Sequence, residues 1–235
     1  DIARKVKHLK EAYQIIPTFK VILVGANPAS LSYIKGKMKA AEVVGMDAEV
    51  LNFEDSISEE QLLVEVQKLN EDQTVNGFIV QLPLPKHIDE NRILEAVAVE
   101  KDIDGFHPEN LGRLVLGLPG FVSCTPKGII EILDAINVDL QGKQVVVIGR
   151  SNIVGKPISM LALQRDATVT ICHSKTSNLT ELARTADVLI VAIGRENFVT
   201  KEYIKNGAIV IDVGVNKSSI TGKLVGDVDY ESVKE

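Results

Sequence analysis

Short, almost continuously apolar runs rich in Val, Ile and Leu recur along this 235-residue chain, separated by segments of helical periodicity. The runs are Val21–Gly25, Ala48–Phe53, Gly77–Leu82, Gln144–Gly149, Thr168–Cys172, Val188–Ile193 and Ala208–Val213. A strand with one face in water alternates apolar and polar residues, whereas a strand covered on both faces has no such need. Apolar runs interleaved with helices therefore predict repeated β-α-β units, and with them an α/β fold built on open, twisted, parallel sheets.

The alternation breaks near Gly112–Pro126. Gly117-Leu-Pro-Gly120 reads as a surface turn and Lys127–Ile136 as a connecting helix. The sequence predicts two α/β domains, residues 1–124 and residues 125–235, the second starting a nucleotide-fold count at Gln144. Helix starts are marked by side chains able to accept from free N–H groups. Ser58 with Gln61 makes a capping box ahead of Leu62, Leu63 and Val66, and Asn178 with Glu181 offers a similar start. Thr125 followed by Pro126 predicts a cap and a first-position proline. Ser30 is the expected N-cap of a helix whose Leu31, Ile34, Met38 and Ala41 face the core.

Composition excludes several classes of function. A formal net charge of -6 argues against a dedicated nucleic-acid binder, although a local pocket can still be positive. No apolar run approaches the ~20 residues that span a bilayer. The charged, amphipathic stretch Asp1–Lys10 is not a secretory signal, so the chain reads as cytoplasmic or as the mature form of an organellar protein. Cys124 and Cys172 do not make a disulfide framework and read as buried thiols of a reducing compartment. No His, Cys and carboxylate cluster has metal-ligand spacing, and no metal is expected.

The second half carries a candidate dinucleotide site. Gln144-Val-Val-Val-Ile-Gly-Arg-Ser-Asn-Ile-Val-Gly-Lys-Pro is a strand, a glycine turn and a helix start. Gly149 lets the chain turn after the strand, Gly155 permits close approach in the first helical turn, and the helix N-terminus faces a pyrophosphate. The spacing is G-x5-G rather than G-x-G-x-x-G, so by itself it also fits an ordinary turn of a flavodoxin-like domain. The next strand ends in His173-Ser174-Lys175-Thr176, without the carboxylate that binds the ribose hydroxyls in NAD-specific folds. Arg150 in the turn is suited to bidentate contact with a 2′-phosphate, and Ser174 adds a hydroxyl. The expected cofactor is therefore NADP, with NAD the weaker alternative. Val191-Ala-Ile-Gly194 and Ile211-Asp-Val-Gly-Val215 each close a strand with glycine, where a nicotinamide ring can approach the backbone.

In the first half, Tyr33 and Lys37 stand at i and i+4 and share one helix face near a strand's carboxyl end. Gln81 directly precedes Leu82-Pro-Leu-Pro85, where proline stops the strand, and its amide can meet a lysine ammonium or a substrate. Asp102 and Asp104 lie two apart in one turn, so at most one of them faces a given pocket. His107 reads as a loop hydrogen-bonder.

Together these segments resemble the bifunctional methylenetetrahydrofolate dehydrogenase/cyclohydrolases. Ser30-x-x-Tyr33-x-x-x-Lys37, Val80-Gln-Leu-Pro-Leu-Pro85, Glu100-Lys-Asp-Ile-Asp-Gly105 and Cys124-Thr-Pro-Lys-Gly128 follow the family's order. So do Gly149-Arg-Ser-x-x-Val-Gly-x-Pro157, Cys172-His-Ser-Lys-Thr176 and Gly207-Ala-Ile-Val-Ile-Asp-Val-Gly214, and the likeness covers nearly the whole chain from Val21. The family usually carries a strand ahead of the helix at Asp1, and a P-G-G-V-G-P-type loop and last helix beyond the segment seen here. The resemblance implies NADP-linked oxidation of 5,10-methylenetetrahydrofolate to the methenyl form, then hydrolysis to 10-formyltetrahydrofolate. It also implies a folate cleft between the domains and a homodimer, while charge and the lack of a long apolar run point to no nucleic-acid or membrane partner. Lys37 is the key cyclohydrolase residue on this likeness, with Tyr33 beside it, Gln81 tuning it and Asp104 binding the pterin. Gly149, Arg150, Ser151, Ser174 and Val215 hold the dinucleotide. The rival readings are a shikimate-dehydrogenase-like oxidoreductase, disfavoured by Tyr33, Lys37 and Gln81, and a non-catalytic dinucleotide sensor.

Overall fold

Each of the apolar runs forms a strand, and every one runs parallel to its sheet neighbours. The computed structural model describes residues 1–218 and 222–234. The chain divides into two units, Asp1–Asn110 and Leu111–Glu235. That boundary falls inside a helix, ahead of the 124/125 division expected from the sequence.

The first unit runs α1 (Ile2–Tyr13), β1 (Thr18–Val24), α2 (Pro28–Val44), β2 (Asp47–Phe53), α3 (Glu59–Glu71), β3 (Gly77–Val80) and α4 (Glu90–Ala96). A 3-10 turn at Val99–Lys101 then leads into α5 (Pro108–Leu116), which carries the chain across the boundary. Strand order is β2-β1-β3. The central strand explains its own composition: Val21 and Leu23 pack with Ile34 of α2 and Ile79. Ile22 and Val24, pointing the other way, pack with Leu62 and Val66 of α3 and Ile93 of α4. Each such side chain contributes about 1.5–3 kcal/mol on burial. The edge strand β2 is more polar, and its Glu49 pairs with Lys20 of β1 at 3.0 Å. The parallel register with β2 begins at Thr18 opposite Asp47, so β1 starts ahead of its apolar run.

The second unit contains α6 (Cys124–Ala135), β4 (Gln144–Ile148), α7 (Gly155–Leu163), β5 (Thr168–Cys172), α8 (Leu179–Ala183), β6 (Val188–Val191) and β7 (Ile209–Asp212). Strand order is β5-β4-β6-β7. Val145 and Val147 pack toward α6 and α7, while Val146 and Ile148 pack toward α8. After β7 come β8 (Asn216–Lys217) and β9 (Leu224–Val225), a short antiparallel pair that the sequence pattern does not announce, and then α9 (Tyr230–Val233).

The capping box forms in full. Gln61 N–H donates to Ser58 Oγ at 3.2 Å, and Ser58 N–H to Gln61 Oε1 at 3.0 Å. Other helix starts differ from expectation. α2 is capped by Asn27, whose Oδ1 accepts from Ser30 N–H at 3.3 Å, and Pro28 takes the first helical position. Asn caps as well as Ser, and proline's missing N–H is harmless there. Leu31 is 46% exposed and so turns away from the core, while Ile34 and Ala41 are buried. α6 begins at Cys124, which puts Thr125 and Pro126 inside its first turn. The preceding Ser123 makes no cap; its hydroxyl donates to the Ile153 carbonyl at 2.6 Å. Asn178 adopts a left-handed conformation (φ 58° being the comparable value at Gln14, φ 53° here), and its side chain makes no cap bond. Cys172 is buried and Cys124 exposed, and neither is in a disulfide, so the expectation of two buried thiols holds for Cys172 alone. Among the described residues no helix is long and apolar enough to cross a membrane.

Candidate functional site

In the first unit the strand after β1 pairs on one side of it and β3 on the other, so the crevice of the sheet opens at the carboxyl end of β1. Side chains on a helix lean toward its N-terminus, which brings a long residue in α2 back over that end. Lys37 is the residue so placed, and its Nζ donates to Gln81 Oε1 at 3.4 Å. Gln81 is the first residue past β3, tied to β1 by its N–H on the Ile22 carbonyl at 2.9 Å. Its Nε2 donates to the Leu82 carbonyl at 2.8 Å, which turns Oε1 toward the lysine. Ser30 Oγ donates to that same carbonyl at 3.4 Å, binding the start of α2 to the strand end. The Leu82–Pro83 peptide is cis.

Tyr33 lies one turn before Lys37 and is 48% exposed. Asp102 bridges Phe78 of β3 in parallel, so the chain through Asp104 leaves at the same end of the sheet as Gln81. The two carboxylates then part company. Asp102 accepts from Phe106 N–H, His107 N–H and Asn110 Nδ2 at 3.1, 2.8 and 2.8 Å, which makes it the anchor of the turn. Asp104 is buried in that turn. His107 Nδ1 accepts from Glu109 N–H, a loop role. The buried Lys101, not singled out by the sequence, donates to the Leu69 and Asp72 carbonyls at 2.8 and 2.6 Å and closes the C-terminus of α3.

In the second unit a cleft of about 260 Å³ lies at the carboxyl ends of β4, β5 and β6. Its walls include Gly149, Arg150, His173, Ser174, Arg195 and Phe198. Gly149 has φ 131°, and a side-chain carbon there would fall 2.3 Å from the Ala192 carbonyl oxygen. One on Gly155 would fall 2.3 Å from the Gly149 carbonyl oxygen, so the helix packs directly on the turn. Ser151 does not line the cleft; its Oγ accepts from Val154 and Gly155 N–H at 3.2 and 3.3 Å and shapes the turn from within. Val215 is 54% exposed and also lies outside the lining. Sequence reasoning missed Arg195 and Phe198, whose signal was a cation directly after the glycine that closes β6. The Arg195 guanidinium sits 4.4 Å above the Phe198 ring. Burial pushes the Cys172 thiol above its ordinary value, consistent with a packing role at the end of β5.

Among the described residues lining this cleft are two guanidiniums, an imidazole and a hydroxyl, and no carboxylate. That donor set fits a dinucleotide bearing an extra phosphate better than a bare ribose diol. Among the described residues no group of three or more His, Cys, Asp or Glu side chains is placed to hold a metal ion.

Residues 1–104 match the tetrahydrofolate dehydrogenase/cyclohydrolase catalytic domain, and residues 123–235 match the NAD(P)-binding domain of the same enzymes. The chain belongs to the tetrahydrofolate dehydrogenase/cyclohydrolase family. Within it, the chain is 56% identical to the bifunctional protein FolD of Bacillus cytotoxicus, over 99% of its own length and 81% of that protein's. The FolD methylenetetrahydrofolate dehydrogenase/cyclohydrolase of Campylobacter jejuni superposes with a TM-score of 0.94 at 46% identity, covering 99% of this chain and 82% of that one. The Trypanosoma brucei member of the tetrahydrofolate dehydrogenase/cyclohydrolase family, solved with NADP and an inhibitor, superposes with a TM-score of 0.93 at 35% identity, covering 100% and 82%.

Proposed function

We propose that this chain oxidises 5,10-methylenetetrahydrofolate to 5,10-methenyltetrahydrofolate with NADP and hydrolyses that product to 10-formyltetrahydrofolate. Membership of the family and the likeness to bifunctional FolD proteins support both reactions. The observation that carries the reading is the Lys37–Gln81 pair at the carboxyl end of the first sheet, on residues that match the family's motif.

NADP, when bound, supplies the hydride acceptor. The chain's own task is to hold the cofactor and place the folate. Arg150 and Ser174, both lining the cleft, would hold the 2′-phosphate, and Gly149 would let the backbone approach the pyrophosphate. Ser151 keeps the turn in shape, and Val215, exposed after β7 and outside the cleft lining, is assigned to the nicotinamide end by the family motif alone.

Hydrolysis needs a proton removed from the water that attacks the cationic methenyl carbon. The Lys37 amine, which donates an N–H to Gln81 Oε1 at 3.4 Å, is the group that would take that proton. Tyr33, one turn away, and Asp104, in the turn beside β3, orient the pterin. The protein acts as a homodimer in the cytoplasm, on small folate derivatives, with no nucleic-acid or membrane partner.

The test supplies methylenetetrahydrofolate with NADP, then with NAD, and follows the absorbance of the methenyl product. A second arm supplies the methenyl compound directly and follows its decay, corrected for spontaneous hydrolysis. Lys37→Met is expected to lower that enzymatic hydrolysis by about 10²–10⁴-fold while folate still binds. Hydrolysis at the unmutated rate would make the lysine a bystander. Nucleotide binding with no absorbance change on adding folate would mark a dinucleotide sensor instead.

A further inference from the structure

Asp227 is fully buried, at 0% exposure, and none of the roles assigned above uses it. Its Oδ2 accepts from Ile193 N–H at 2.7 Å and Gly194 N–H at 3.0 Å. Its Oδ1 accepts from Arg195 N–H at 2.7 Å and from Asn216 Nδ2 at 2.9 Å. Three consecutive backbone N–H groups thus close around one carboxylate, as they do around a bound anion. All four donors are neutral amides.

The carboxylate is itself held in place. Asp227 N–H donates to Asp212 Oδ1 at 2.9 Å, and Val228 N–H donates to Asp212 Oδ2 at 3.0 Å, at the end of β7. The Asp227 carbonyl accepts from Val199 N–H at 2.9 Å. A side-chain carbon on Gly214 would fall 2.2 Å from Asp227 Cγ, so the neighbouring backbone is fitted to the carboxylate.

The loop so held is a wall of the cleft, for Ile193 and Arg195 both line it, together with Arg150 and Ser174. We infer that Asp227 is a positioning residue for the dinucleotide: an internal anion that fixes the loop after β6 and, through it, the Arg195 guanidinium over Phe198. The inference rests on the reading of this cleft as the NADP site. A carboxylate meets three converging donors with charge-assisted bonds, whereas an asparagine in its place turns an N–H₂ group against at least one of them. The loop then leaves its position, and cofactor affinity falls with it.

The experiment compares Asp227→Asn with the unmutated chain in both reactions. The Michaelis constant for NADP is expected to rise about 10-fold or more, a loss of the size of a charge-assisted hydrogen bond. Hydrolysis of directly supplied methenyl compound, which needs no dinucleotide, is expected to keep its rate. Equal loss of both activities would reduce Asp227 to a general stability role and overturn the inference. Arg150→Ala, run in parallel, separates the two levels of argument. If it weakens NADP binding while Asp227→Asn does not, the positioning role falls alone. If neither variant alters NADP binding, the cleft is not the cofactor site and both readings fall. Should Asp227→Asn not fold, Asn216→Ala removes one donor from the same carboxylate and is expected to raise the NADP constant by a smaller factor; no rise would overturn the inference.

Discussion

Replacing Gly149 by alanine puts the turn after β4 to a severe test. The residue sits at φ 131°, and the new carbon would fall 2.3 Å from the Ala192 carbonyl oxygen and 3.1 Å from its carbon. Neither group has room to retreat. Ala192 N–H is bonded to the Ile148 carbonyl at 2.8 Å, and Gly149 N–H to the Cys172 carbonyl at 2.9 Å, so relief on either side breaks a rung between strands. Backbone strain at a disfavoured conformation costs about 1–3 kcal/mol. A lost sheet hydrogen bond adds about 0.5–1.5 kcal/mol. The sum, about 1.5–4.5 kcal/mol, corresponds to a fall in Tm of roughly 5–22 °C for a unit of this size. Thermal melts followed by circular dichroism, with and without NADP, measure it. Gly112→Ala is the control, since its added carbon meets nothing within 4 Å and its helix should gain about 0.5–1 kcal/mol. A Gly149→Ala protein that melts within about 2 °C of the parent and binds NADP unchanged would refute the argument from geometry.

Arg150→Ala should raise the Michaelis constant for NADP by about 10- to 150-fold and that for NAD far less; equal effects would remove the case for a 2′-phosphate contact. Lys205, at 2.6 Å, and the Gln144 N–H, at 2.7 Å, hold the Asp187 carboxyl below its ordinary value of 3.8. A depressed carboxylate contributes stability above its unfolded pKa and loses it as pH falls through the folded one. Asp187→Asn should therefore lower Tm at neutral pH, with the difference closing below 3.8, and a gap undiminished in acid would contradict it. A thiol reagent should modify Cys124 in the native protein and reach Cys172 only after unfolding, since burial both shields that thiol and raises its pKa; two equivalents reacting at once would be the contrary result.

The strands were legible because both faces of each sheet are covered, which leaves Val21–Val24 of β1 and Val145–Ile148 of β4 as unbroken apolar runs. Helix starts were read less well, since several residues near each start can cap and only the fold selects one. Asn27 took the place expected of Ser30, and the left-handed turn at Asn178 carried its side chain away from the helix. The Lys37–Gln81 meeting was readable because one residue lies on the helix after β1 and the other at the end of the strand beside β1. Arg150 and Ser174 were readable as the residues that follow two adjacent parallel strands. Arg195 and Asp227 were not. An aspartate between Gly226 and Val228 has no local sign of its task, which exists only once β6 and β7 lie side by side.

The Asp227 bonds also bear on how the protein is made. Synthesis is vectorial, and domains tend to fold as they emerge from the ribosome, N-terminal first. The first unit has its whole sheet by Val80 and its lysine–glutamine pair by Gln81, so that half can take shape while the rest is still being translated. The loop at Ile193–Arg195 has no such independence, for the carboxylate that orders it is added 33 residues after Gly194. A nascent chain halted between the two would carry a finished β6 and an unset nucleotide wall, and NADP would find its grip only on chains elongated past Asp227.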